Sequence, residues 1–160
     1  MCQICADPLT DPVVVFVRPL DYLHGYAAEP GCHPECAHYS TRGCPMLNGT
    51  QHHHAANTAA RYTRCADPDC ACRFWIPQTD SARQGRPADA WYQMWLRRTA
   101  YRVVADPHPD PDLDQPPEPR VLIRGVPYLK LRKVRDGAGT DSGRPDPLEL
   151  MLALRAATGY

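Results

Sequence analysis

Apolar positions cluster in short runs along this chain, and each run predicts one element. Val13-Val14-Val15-Phe16-Val17 is continuous and mostly β-branched, the pattern of a strand buried on both faces and ended by Pro19. Trp91, Met94 and Trp95 recur at i, i+3 and i+4, which predicts a helix with Pro87 in its first turn and this stripe in the core. Tyr101 to Ala105 reads as a strand. Arg120 to Arg124 and Tyr128 to Arg135 read as a β-hairpin around Gly125-Val126-Pro127, with Leu129 and Leu131 on one face and Lys130 and Arg132 on the other. Asp136 to Pro145 reads as a Gly-rich loop. A short final helix is well punctuated: Asp146 as N-cap, Pro147 at N1, Glu149 at N3 and Gly159 beyond its end. Its leucines lie on more than one face, so it must bury against the body or a partner.

Composition changes what can hold these elements together. Leu, Val, Ile and Phe make up only about 17% of the 160 residues, while the chain has 18 Pro, 8 Cys and 7 His. So small an apolar content with zero formal net charge calls for support other than a core. Residues 106–119 contain six Pro and five acids and read as an extended linker. It separates a Cys-rich body, 1–105, from a C-terminal unit, 120–160.

The cysteines supply candidate chemistry. Close Cys pairs, no basic and apolar leader in the first thirty residues, and no apolar run near membrane length predict an intracellular, cytoplasmic protein using Cys for metal. Cys2-Gln-Ile-Cys5 has zinc-knuckle spacing. The partner pair lies in Cys32-His33-Pro34-Glu35-Cys36. Pro34 suits the first position of a helix, making His33 the N-cap and Cys36 the N3 residue, whose side chains converge. This favours Cys2, Cys5, His33 and Cys36 as ligands, with Cys32 as the alternative. Four protein ligands make a closed, structural Zn2+ site, and knuckle, strand, then ligand-bearing helix is treble-clef-like.

The terminal Cys-x-x-Cys, the strand, His33-Pro-Glu-Cys-Ala-His-Tyr-Ser40 and Cys44-Pro45 resemble a group of uncharacterised small Cys-rich proteins of actinobacteria and their phages, chiefly over residues 1–50. The resemblance implies zinc binding in an intracellular bacterial or phage setting.

Cys65, Cys70 and Cys72 form a second cluster that can wrap another zinc, with Cys44 as fourth ligand and His52, His53, His54 or His38 competing. A water in that fourth position would open the site to hydrolytic chemistry of a nuclease-like kind. The HNH spacing, HExxH, Gly-x-Ser-x-Gly and phosphate-loop patterns are absent from the chain. Arg120, Arg124, Lys130, Arg132, Lys133 and Arg135 place six positive charges on sixteen residues, a candidate contact for nucleic acid or for an acidic partner.

The expectation is therefore a small, metal-stabilised α+β protein: a treble-clef-like zinc unit, a Pro-rich linker, a β-hairpin and a short helix. Its predicted role is that of a non-enzymatic binding module, with a protein partner first, nucleic acid second and a zinc hydrolase third.

Overall fold

A computed structural model describes residues 1–56, 84–106, 118–139 and 146–158. It is a small mixed α/β structure with two three-stranded antiparallel sheets. In the first sheet, β1 (Val13–Val17), β3 (Trp91–Leu96) and β6 (Tyr128–Arg135) lie in the order β1-β3-β6. In the second, β2 (Tyr26–Ala27), β5 (Glu118–Leu122) and β4 (Val103–Asp106) lie in the order β2-β5-β4. Helices α1 (Pro19–His24), α2 (Pro34–Gly43), α3 (Pro45–Asn48) and α4 (Pro147–Thr158) complete the described elements.

The continuous apolar run forms β1, buried at all five positions. Its outer edge is closed by Cys32, which exchanges both backbone hydrogen bonds with Val14 at 2.9 Å. Along β1 and β3, Val15 faces Met94 and Phe16 faces Gln93. Gln93 is 5% exposed and its amide donates to Thr41 Oγ1 on α2 at 3.0 Å, so α2 covers that face of the sheet.

Trp91 to Leu96 is a strand, correcting the helix expected from Trp91, Met94 and Trp95. Tyr92 and Leu96 are fully buried as well, so the apolar content covers both faces and the apparent three-four spacing carries no helical information. Aromatic residues between two partner strands settle as β. The stripe's burial is as expected for Trp91 and Met94, whereas Trp95 is only half-buried.

The expected hairpin does not form either. β5 pairs with β2 and β4, and β6 pairs with β3, so the two strands belong to different sheets. The chain is turned away after β5 because Ile123 and Arg124 both donate their N–H to the Gly25 carbonyl at 3.0 Å. Gly25 follows α1 with a left-handed φ of 86°, and a Cβ there would lie 2.6 Å from Arg124 Nε. The alternation on β6 also breaks. Leu131 pairs with Met94 and is buried, but a register shift between Trp95 and Leu96 leaves Leu129 out of the pairing and 47% exposed. The segment from 107 to 117 lies outside the described residues, as do 140–145 and Gly159.

The final helix begins as expected, with Leu148 N–H donating to Asp146 Oδ1 at 2.9 Å. Glu149 accepts from Lys133 Nζ on β6 at 2.9 Å. Leu148 is completely buried, Tyr22 Oη lies 2.6 Å from Met151 Sδ, and α4 packs against α1.

Candidate metal centre

The first four-ligand set is gathered as the spacing predicts. Cys2 and Cys5 sit on a tight turn in which Ala6 N–H donates to the Cys2 carbonyl at 3.0 Å and Cys2 N–H to the Asp7 carbonyl at 2.7 Å. Ala6 adopts a left-handed φ of 63°, unusual for a residue with a side chain, which lets the loop close back on itself. Gln3 N–H is tied to the Gly31 carbonyl at 3.3 Å, bringing this turn beside the residues that precede α2.

His33 is the N-cap of α2, with extended backbone at φ −72° and ψ 157°, and Pro34 occupies N1. Cys36 is therefore at N3 and returns toward the His33 side chain. The Sγ atoms of Cys2, Cys5 and Cys36 and a ring nitrogen of His33 all lie within 4.8 Å of one another. A tetrahedral ion with bonds of about 2.3 Å needs its ligand atoms about 3.8 Å apart, so this group can hold a metal ion with small adjustments.

The imidazole is already oriented. His33 Nε2 lies 2.9 Å from the Pro8 carbonyl and takes the donor role there, leaving Nδ1, 3.4 Å from Cys5 Sγ, as the ligand nitrogen. A second hydrogen bond of this kind usually fixes the tautomer of a metal-bound histidine. Pro8 was not visible as part of the site in the sequence, because any residue supplies a carbonyl.

The thiols show what a cation held among them would relieve. Burial pushes Cys2 up, but backbone N–H groups of Cys5, Ile4 and His33 more than offset this and bring it down to about 6. Ile4 N–H reaches its sulfur at 3.4 Å. Desolvation, then the neighbouring Cys2 and Cys5 sulfurs, push Cys36 up to about 12. At Cys5 the Asp7 N–H favours thiolate, yet desolvation and Cys2 outweigh it and the pKa is raised. The group accommodates one thiolate readily and resists further ones, a conflict that a divalent cation removes.

Cys32 is turned away. Its thiol donates to the Val14 carbonyl at 3.4 Å in the core, and burial raises its pKa to about 12. Cys32→Ala should therefore leave the metal content of the chain unchanged, as elemental analysis would show, whereas loss of the metal would make Cys32 a ligand. Gly31, just before it, packs against Val13 Cγ1 and Tyr101, where a Cβ would lie 2.6 and 2.8 Å from the nearest atoms. Its N–H donates to Tyr101 Oη at 3.0 Å. Gly31→Ala should cost about 1–3 kcal/mol by overpacking, read as a lower urea midpoint, and loosen the carbonyl that anchors the Cys2 turn.

The second cluster divides. Cys65, Cys70 and Cys72 lie outside the described residues. Cys44 is half-buried at the start of α3. His52 and His54 pair through their backbones with Ala88 and Arg86, and His54 Nε2 lies 3.3 Å from Asp89 Oδ2. That carboxylate also faces Arg18, which sequence reasoning did not single out. Arg18 caps α1, is 5% exposed, and meets Asp21 through its Nε and backbone N–H at 2.9 Å. The signal was present: an acid at N3 after a Pro at N1 marks a capping box.

The six basic residues are not gathered on a hairpin. Arg120 lies on β5 and Arg124 just beyond it, whereas Lys130, Arg132, Lys133 and Arg135 lie on β6. Arg124 donates to the His24 carbonyl at 2.7 Å, and Arg135 to the Met46 and Gln51 carbonyls at 2.8 and 2.9 Å. Lys133 is paired with Asp136 and Glu149, and Lys130 lies over the Trp95 ring. Arg132, paired with Gln93, is exposed.

Among the described residues, no helix is long and apolar enough to cross a membrane. Compared with family models, curated proteins and solved structures, the chain matches none.

Proposed function

We propose that Cys2, Cys5, His33 and Cys36 form a structural zinc site of treble-clef type, and that the chain is a non-enzymatic intracellular module binding a protein partner through its C-terminal helix. Three thiolates and one imidazole suit zinc, and four protein ligands leave no position for substrate. A knuckle, a strand and a helix whose first turn carries the last two ligands support the treble-clef reading.

The observation that carries the binding role is the exposure of one face of α4. Leu148 is fully buried, while Leu150 and Leu154, one helical turn apart, are 52% and 56% exposed. Leu20 and Leu23 on α1, the helix against which α4 packs, are exposed too. Exposed apolar side chains on two helices that pack together favour a protein partner over nucleic acid.

The test compares the wild-type chain with Leu150→Asp/Leu154→Asp in affinity capture, with metal content measured for both. A partner retained by the wild type and lost by the variant at equal metal content is the expected result. Equal retention by both would overturn the assignment to α4. Retention that falls steeply with salt and disappears after nuclease treatment would replace it with nucleic-acid binding.

A further inference from the structure

A cavity of about 340 Å³ lies between the α2-facing side of the first sheet and helices α2 and α3. Phe16 and Trp91 line it from alternate positions on neighbouring strands, at one face of that sheet. Ser40 and Cys44 contribute from α2 and its end, Met46 and Leu47 from α3. Gln3 and Ile4, the two residues between the paired cysteines, form another wall. The volume falls at the small end of ligand pockets, about 300–1,000 Å³, and the combination of aromatic and aliphatic walls with a few polar groups is typical of them.

Among the described residues that line the cavity, Glu29 is the one carboxylate, and Arg135, which lies nearby but is not among the lining residues, directs its guanidinium to the Met46 and Gln51 carbonyls. Glu29 is half-buried and makes no hydrogen bond or ion pair among the described residues. Arg18, whose guanidinium lies 5.7 Å from the centre of the Trp91 ring, is faced by two carboxylates, Asp21 and Asp89, and so offers no surplus positive charge. His54, also in the wall, turns its Nε2 to Asp89. An apolar ligand would strip water from the Glu29 carboxylate without replacing it, and an anion would add repulsion. A cation offsets the desolvation, and aromatic walls add to its binding.

We propose that this cavity is a binding site for a small organic cation, a primary ammonium group joined to an aromatic or aliphatic body, with Glu29 as its counter-charge. The body would rest against Phe16, Trp91 and Leu47.

The proposal is tested on the whole, metal-loaded chain with three phenyl probes that differ in their polar head: 2-phenylethylamine, 2-phenylethanol and 3-phenylpropanoate. Binding is followed by calorimetry and by tryptophan fluorescence, with metal content checked on each sample. The amine should bind about tenfold more tightly than the alcohol, and the acid more weakly still. Glu29→Gln, which breaks no hydrogen bond or ion pair among the described residues, should remove the preference for the amine, and Glu29→Lys should reverse it toward the acid. Absence of saturable amine binding up to about 10 mM would overturn the proposal. So would an amine preference that survives Glu29→Gln. Because metal content is read separately, either failure is distinct from failure of the zinc assignment.

Discussion

Cys36→Ser is expected to lose the metal and, with it, most of the stability of the fold. A structural zinc contributes on the order of 10 kcal/mol to the folding of a small domain, comparable to the about 5–15 kcal/mol by which whole domains are stable. The elements tied by the site explain why the loss should spread. The Cys2 turn is bound through Gln3 to Gly31, Gly31 to Tyr101, and Cys32 to the edge of β1. Without an ion, the thiols of Cys5 and Cys36 return to their raised pKa values and the turn is left to its backbone hydrogen bonds and weak contacts to sulfur. Thermal unfolding by circular dichroism should show a collapse of the transition for Cys36→Ser, and the same for wild type stripped by a strong chelator. A metal-free variant that melts within a few degrees of the loaded wild type would mean that the ion is not structural.

The second large effect is expected at Arg18, away from the metal. Burial works against its charge, but Asp21 and Asp89 more than offset this and hold its pKa above the ordinary value. Arg18→Met keeps much of the packing against Trp91 and removes the charge, leaving the buried Asp21 carboxylate without a cation. Breaking a buried pair from one side costs about 3–5 kcal/mol, well above the about 0–1 kcal/mol of an exposed pair. Urea unfolding should show that loss, and adding Asp21→Asn should restore part of it, because the orphaned charge is then gone. A loss below about 1 kcal/mol for Arg18→Met would place the pair among exposed ones.

What the sequence made legible was local. Five consecutive β-strand formers could only be a buried strand, and Pro34 alone separated His33 from Cys32 as the candidate ligand by fixing where α2 begins. Asp146 and Pro147 marked the start of α4 in the same way. What failed depended on distant partners. Trp91 to Leu96 is a strand because β1 and β6 flank it, a fact no window around Trp91 contains. β5 leaves β6 for β2 because Gly25 captures Ile123 and Arg124 across about a hundred residues. The six basic residues are accordingly divided between β5 with its following turn and β6, rather than carried on one hairpin. In the site, side chains were readable from spacing, while the Pro8 carbonyl that orients His33 was not.

Metal content decides the assignment most directly, measured by elemental analysis on the chain purified without chelator and without a tag beside Cys2. Wild type should carry zinc, Cys36→Ser should carry one equivalent less, and Cys32→Ala should match wild type. Zinc-free wild type, or Cys36→Ser with an undiminished metal content, would contradict the assignment of Cys2, Cys5, His33 and Cys36 as the metal centre.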